Sequence, residues 1–83
     1  MTEQQKRNIE TLCYETAETV LAFVSPEDEL PKDIVEKFVV AAVAGKLAPY
    51  LAEYEIPFTD EVSKISLYET EAAICDWQLF SKK

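Results

Sequence analysis

Carboxylates are the most numerous side chains in this sequence that could take part in catalysis or bind a ligand. Sixteen of its 83 residues are aspartate or glutamate and histidine is absent, so the most common general base and the most common metal ligand are both missing. Cys13 and Cys75 stand near opposite ends of the chain and match neither a zinc-binding spacing nor a Cys-x-x-Cys redox pair. No serine has the surroundings of a nucleophile elbow. We therefore expect a protein that is not an enzyme and carries no cofactor.

The densest run of carboxylates is Glu27-Asp28-Glu29, which invites a calcium-binding interpretation. The run has no glycine turn and no alternating spacing of ligands, so it does not fit the EF-hand pattern. Acid–base catalysis by paired carboxylates would need burial to separate their pKa values, and only Asp76 comes near an apolar stripe. The sequence therefore predicts no metal site and no catalytic carboxylate pair.

The length and composition indicate one folded domain covering residues 1–83. A chain of 83 residues is too short for a large multi-layer enzyme fold. Its hydrophobic content of 48% and its single glycine are typical of a globular domain rather than a disordered one. The N-terminus is polar, and no apolar run approaches the roughly 20 residues that span a bilayer. We therefore expect a cytoplasmic protein.

Apolar residues at helical spacing predict an all-α fold, a compact bundle of three long helices plus one or two short ones. Thr2 and Gln5 form the pattern of a capping box, so the first helix should begin there and continue for about 22 residues. Its apolar stripe consists of Ile9, Leu12, Cys13, Thr16, Ala17, Val20, Leu21 and Val24. Its polar face consists of Arg7, Thr11, Tyr14, Glu15 and Glu18, with Glu3 and Glu10 at the margin.

The second long helix should begin at Pro31, after a short helical turn within residues 25–29. It is apolar on two sides, which indicates a helix buried between neighbours. One side comprises Ile34, Val35, Phe38, Ala41, Ala42 and Gly45, and the other comprises Val39, Val40, Val43 and Leu47. Gly45 and Pro49 predict a break. A short helix over residues 46–55 should follow it and bury Leu47, Tyr50, Leu51 and Tyr54.

Residues 62–80 are compatible with two structures. Thr59 can cap a helix whose first turn carries Asp60 and Glu61. Its apolar residues divide into Ile65, Tyr68, Ala72, Cys75 and Leu79 on one side and Leu67, Ile74 and Trp77 on the other. The alternative is a C-terminal β-hairpin in an α+β fold, although its turn would lack the residues that tight turns prefer. The helix is favoured, and both cysteines are expected in the core.

The charge distribution is the strongest functional signal. A net charge of −8 and a pI near 4.4 argue against direct binding to nucleic acid or an anionic membrane. The acids either solubilise the surface or form a face that docks on a basic protein, and basic grooves occur chiefly on proteins that grip phosphate backbones. The docking hypothesis predicts a stoichiometric inhibitor or regulator of a nucleic-acid-handling protein. Its predicted partner-binding residues are Glu10, Tyr14, Glu18, Glu27, Asp28, Glu29, Glu69 and Asp76.

This short, acidic, helical profile without catalytic residues resembles that of phage-encoded inhibitors, such as anti-CRISPR and anti-restriction proteins, and of the acidic four-helix nuclease immunity proteins. The resemblance implies a nucleic-acid mimic that occludes a binding site. The segment Tyr50-Leu51-Ala52-Glu53-Tyr54 departs from the paired-tyrosine segment of the immunity proteins, so no residue role is carried over. The alternative function is a structural or accessory homodimer or subunit, which would cover surplus apolar residues at Val39, Val43, Leu67 and Ile74.

Overall fold

The computed structural model describes residues 1–24 and 30–81, with side chains up to residue 79. These residues form three helices, α1 (Glu3–Ala22), α2 (Lys32–Glu53) and α3 (Asp60–Ser81), and they contain neither a strand nor a separate short helix. The all-α prediction is confirmed. The hairpin alternative is wrong, because residues 62–80 lie within one continuous helix. The helical turn predicted within residues 25–29 lies outside the described residues.

The first helix begins as its capping box predicts. The Thr2 hydroxyl accepts a hydrogen bond from the Gln5 backbone N–H at 3.1 Å, and the Gln5 side chain accepts one from the Thr2 N–H at 2.9 Å. Both contacts satisfy amide groups that a helix N-terminus leaves without intrahelical partners. The predicted stripe is the inner face of α1, whose fully buried residues are Ile9, Cys13, Ala17 and Leu21.

The predicted break at Gly45 and Pro49 is wrong, because α2 continues through both residues to Glu53. Pro49 has no N–H to donate to the Gly45 carbonyl, so the helix loses one backbone hydrogen bond there. Leu47 and Leu51 on either side of Pro49 are buried in the core, and their packing holds the two halves of α2 in line. Tertiary burial therefore overrides the local helix-breaking signal.

The segment predicted as a separate short helix over residues 46–55 is instead the last part of α2, which ends in a tight turn. The Ile56 N–H donates to the Leu51 carbonyl at 2.9 Å, and the Glu55 N–H donates to the Ala52 carbonyl at 3.3 Å. These two bonds form a Schellman motif, in which Glu55 takes the left-handed position with φ of 54°. The motif buries Ile56. It leaves Tyr54 half-exposed rather than in the core, with its ring 4.7 Å from that of Tyr50.

Replacing Glu55 with glycine is expected to raise the free energy of unfolding by about 1 kcal/mol, because a left-handed conformation strains residues that have a Cβ atom. Urea denaturation of the purified variant measures the change. Glu53→Gly, at the last helical position of α2, is the matched control and should lower stability by up to about 1 kcal/mol, since glycine is a poor helix former. A loss of stability in Glu55→Gly would contradict the motif.

The inner face of α2 is a single stripe with a spacing of four residues. Its buried residues are Val35, Val39, Val43, Leu47 and Leu51. On the other predicted side, Ile34 and Phe38 are 51% and 64% exposed, and Ala41 and Gly45 are also exposed. The prediction that α2 is buried all round is therefore wrong. Among the described residues, the helices that pack on α2 are α1 and α3, and both lie on one side of it.

The buried side of α3 includes Ile74, which belongs to the side with fewer apolar residues in the predicted pattern. Val62, Thr70, Ala73 and Ile74 are buried, and the Thr70 hydroxyl donates to the Ser66 carbonyl at 2.7 Å. Trp77 is half-buried against this core. Three residues of the other apolar side are exposed, so the prediction that this side packs inward is wrong at Tyr68, Cys75 and Leu79. Cys13 lies in the core as expected, whereas Cys75 does not. Both cysteines are free thiols.

The helices pack into a rod of 41 × 19 × 19 Å in which α1 contacts both other helices extensively. Helices α2 and α3 contact each other least, and an apolar groove of about 470 Å³ separates them. Of the surplus apolar residues predicted to drive dimerisation, Val39, Val43 and Ile74 are buried within the bundle, and only Leu67 remains exposed. Val39, Val43 and Ile74 are therefore not available for self-association, whereas Leu67 is.

Candidate acidic interface between α1 and α3

Five of the predicted partner-binding residues come together where α1 packs on α3. Glu10, Tyr14 and Glu18 follow one another at single-turn spacing along α1, and Glu69 and Asp76 lie two turns apart on α3. The two helices run in the same direction, so Glu10 faces Glu69, and Tyr14 and Glu18 lie near Asp76. We call these five residues the acidic seam. The remaining predicted residues, Glu27, Asp28 and Glu29, lie outside the described residues.

A hydrogen bond across the helix pair orders the centre of the seam. The Tyr14 hydroxyl donates to Asp76 Oδ2 at 2.5 Å, although the two residues are 62 positions apart in sequence. Tyr14 is half-buried, so its ring covers the helix contact while its hydroxyl holds the Asp76 carboxylate in one orientation. A side chain predicted as a partner anchor thus also links the first and last helices.

The electrostatic surroundings of Tyr14 are uniformly negative. The hydrogen bond to Asp76 is the largest cause that raises the pKa of Tyr14 to about 12, followed by burial and then by the charges of Asp76, Glu18 and Glu69. Each of these causes favours the neutral phenol over the phenolate. Carboxylates of both helices thus act on Tyr14, in addition to the hydrogen bond and burial.

The carboxylate of Glu69 on the opposite helix is affected in a similar way. Burial is the larger cause that raises the pKa of Glu69 above its usual value, and the negative charge of Glu10 is the smaller one. A raised carboxylate pKa means that the ionised form is less favourable in the folded chain than in the unfolded chain. Glu10 and Glu69 are therefore close enough to repel each other across the helix pair.

Shallow depressions follow the seam from one end to the other. One of about 270 Å³ lies between Glu10, Tyr14 and Glu69 and is also lined by Glu15. A second, of about 230 Å³, lies between Tyr14, Glu18 and Asp76 and reaches the edge of Trp77. At the Glu10 end, a third is lined by Lys6, Lys64 and Tyr68. The first two depressions thus lie between carboxylates of the seam, and the third also borders two lysines.

Two residues that the sequence did not assign to an interface lie beside the seam. The sequence places Glu15 on the polar face of α1 without a binding role, and its position one residue after Tyr14 is the available signal. The spacing predicts Tyr68 on an apolar stripe of α3, but Tyr68 is 72% exposed beside Glu10 and Glu69. Its exposure depended on which side of α3 the other helices cover, so no local signal could have revealed it.

Deprotonation of Tyr14 tests this geometry directly. An ultraviolet absorbance titration should show one tyrosine with a pKa of about 12, and Asp76→Asn should return that pKa towards the usual value near 10. Because the folded pKa exceeds the unfolded one, the stabilisation by neutral Tyr14 is complete below about pH 10 and disappears as the pH rises towards 12. A Tyr14 pKa unchanged in Asp76→Asn would contradict the cross-helix hydrogen bond.

The described part of the chain contains no group of three or more acidic or cysteine residues arranged to hold a metal ion. None of α1, α2 and α3 is apolar over enough of its length to cross a membrane. Comparisons with protein-family models, with curated proteins and with solved structures find no match to this chain. The fold and the seam themselves define the class of molecule, a three-helix bundle with a concentrated acidic surface.

Proposed function

We propose that the protein is a small binding module that docks its acidic seam on a basic surface of another protein. The observation that supports this best is the gathering of four carboxylates around Tyr14 from both ends of the sequence. Glu10 and Glu69 are close enough for the charge of one to raise the pKa of the other. A cationic partner would relieve this repulsion on binding, so the arrangement favours a complex over the free protein.

A protein that handles nucleic acid is the partner class that fits this surface. Such proteins hold phosphates with clusters of lysine and arginine, and these clusters attract carboxylates equally well. Glu10 and Glu18 lie about 12 Å apart along α1, and Glu69 and Asp76 about 10 Å apart along α3. The two helices thus present two short parallel rows of negative charge. The protein would act as a stoichiometric inhibitor or regulator by occluding the nucleic-acid site.

Affinity in such a complex needs more than charge. Carboxylates at the rim of an interface contribute mainly to the association rate and to its salt dependence, whereas buried aromatic residues contribute most of the affinity. Tyr68 is available as an anchor because it is 72% exposed at one end of the seam, and the depression bounded by Tyr14 and Trp77 can receive a partner side chain at the other. The Tyr14 hydroxyl is already bonded to Asp76, so its contribution would come from the ring.

Charge reversal with a matched control tests the proposal. The double variant Glu10→Lys/Glu18→Lys reverses two seam charges, and Glu53→Lys/Glu55→Lys reverses two charges at the end of α2 with the same change in net charge. Partners are captured from nuclease-treated native lysate with tagged wild-type protein, eluted by stepped salt and identified by mass spectrometry. The affinity of each variant for a recovered basic protein is then measured at several salt concentrations.

We expect the seam variant to lose affinity at least about tenfold and to show a shallower salt dependence, because close interfacial charge pairs contribute more than about 1.4 kcal/mol. The α2 variant should change affinity by less than about twofold, as surface charges outside an interface do. Reversal of Glu27, Asp28 and Glu29 in the same assay measures the contribution of the other acidic run. Equal losses in the seam and α2 variants, or partners that salt does not release, would contradict docking through the seam.

A further inference from the structure

The outer face of α2 carries an apolar stripe that nothing in the described chain covers. Its residues follow a 4-3-4-3-4 spacing, which is the spacing of a coiled-coil contact, and all of them are exposed. Ile34 and Phe38, the two large residues of the stripe, are 51% and 64% exposed on neighbouring turns. We call the stripe the outer stripe, and it consists of Ile34, Phe38, Ala41, Gly45, Ala48 and Ala52.

The outer stripe is complementary to itself when two copies of α2 meet in opposite directions. Its two large residues lie in the first half of the helix, and its other four residues are alanine or glycine. A two-fold axis that crosses the outer face of α2 at the level of residue 43 places Ile34 opposite Ala52 of a second copy. The same axis places Phe38 opposite Ala48. The same axis places Ala41 opposite Gly45. Every pair thus combines a large residue with a small one or two small ones, as a closely packed isologous interface requires.

Neither the backbone conformation nor packing within the single chain requires glycine at position 45. The φ of Gly45 is not positive, and a Cβ atom added there would meet no other atom within 4 Å. Glycine in the middle of a helix is less stable than alanine, so glycine at this position lowers the stability of the helix. A second helix that crosses α2 at this point would need the space that the missing side chain leaves.

The charge distribution favours a second copy of the chain as the occupant. The protein carries a net charge of −8, so two copies repel each other through most of their surfaces. Residues 37–58 contain two lysines and two glutamates and are therefore neutral overall, and the outer stripe contains no charged residue. This face is therefore one on which two copies can meet without strong repulsion.

We infer that the protein forms a symmetric homodimer in which α2 packs antiparallel on α2 of a second copy through the outer stripe. Phe38 of one copy then faces Ala48 of the other, and Ala48 also lines the apolar groove between α2 and α3 beside Phe58 and Leu67. The groove therefore receives the edge of the Phe38 ring. The acidic seam lies on the α1–α3 side, so the dimer displays two seams and can bind two basic sites at once.

Sedimentation equilibrium of the purified full-length protein tests the dimer. Wild-type protein should be dimeric, and Phe38→Glu should raise the dissociation constant at least about a hundredfold, because a central aromatic contact is lost twice by symmetry. Tyr68→Glu is the matched control, since it introduces the same charge at an equally exposed aromatic residue on the other side of the bundle, and it should leave the dimer intact. Wild-type protein that stays monomeric at the highest soluble concentration would overturn the inference, as would equal effects of the two variants.

Gly45→Ala separates association from folding. In the monomer the added methyl group meets nothing, so the variant should unfold at a higher temperature when dilute. In the dimer the methyl group pushes the two helices apart, so the dissociation constant should rise about tenfold, as overpacking in a close contact does. A variant that is more stable and dimerises as well as wild type would contradict a helix crossing at this position.

Disulfide cross-linking tests the direction of the two helices. Ala41→Cys and Gly45→Cys are prepared separately, each with Cys75→Ser to remove the exposed thiol, and mixed under mild oxidation. An antiparallel pair should cross-link Cys at position 41 of one copy to Cys at position 45 of the other in preference to either homodimer. Preferential linkage of each variant to itself would indicate parallel helices and overturn the antiparallel arrangement.

Discussion

Ile9→Ala should remove a large part of the stability of this fold. The Ile9 side chain is 0% exposed and lies on α1, the helix that packs against both others. Truncating a fully buried isoleucine costs about 2–5 kcal/mol, because transfer free energy is lost and a cavity remains. A domain of this size has a total stability near the lower end of about 5–15 kcal/mol, so the variant should be close to its unfolding midpoint.

Ile34→Ala makes the same chemical change at an exposed position and serves as the control. Ile34 is 51% exposed on the outer face of α2, and in dilute solution its truncation should change the free energy of unfolding by less than about 0.5 kcal/mol. Urea denaturation followed by circular dichroism at low protein concentration measures both variants. Similar losses in the two variants would mean that the inner and outer faces of α1 and α2 are wrongly assigned.

The two cysteines are expected to differ in reactivity by about three orders of magnitude. Cys75 is exposed, whereas Cys13 is fully buried on the inner face of α1. Burial is the main cause that raises the pKa of the Cys13 thiol, the charge of Glu69 adds to the rise, and a hydrogen bond with Ser66 opposes it. Since only a thiolate reacts, Cys13 can be modified only when the chain opens, and an opening free energy of about 5 kcal/mol slows the reaction roughly 10³–10⁴-fold.

Labelling with a chromogenic disulfide reagent measures both rates. In native buffer one thiol per chain should react within the mixing period and the second over a much longer time. In concentrated urea both should react quickly. Cys75→Ser should remove the fast phase, and Cys13→Ser should remove the slow one. Two thiols of equal rate in native buffer would show that Cys13 is accessible and that the core described for α1 is wrong.

The start and the inner face of α1 could be predicted because they rest on local information. The capping box needs only Thr2 and Gln5, three residues apart, and both of its hydrogen bonds form as predicted. The apolar residues of α1 occupy one side only, so there was a single face to bury. The same reasoning holds for the start of α3, where the Thr59 hydroxyl accepts a hydrogen bond from the Val62 N–H at 3.3 Å.

The inner faces of α2 and α3 could not be predicted from their own residues. Each helix is apolar on two sides, so periodicity alone does not distinguish Val39 from Phe38 or Ile74 from Cys75. The bundle has three helices, and each can cover only one side of its neighbours. Which side is covered follows from how all three pack together, and that choice exposes Phe38 and Cys75.

Local hydrogen bonding, composition and spacing were enough to favour the all-α fold class, the starts of the first and last helices and the excess of negative charge. That α2 continues through Gly45 and Pro49 depends on tertiary packing, since buried residues on both sides of Pro49 compensate for one lost hydrogen bond. Tertiary packing also places Tyr14 against Asp76 and Glu10 near Glu69. Such contacts join residues far apart in sequence, and they depend on the direction and rotation of whole helices rather than on any local pattern.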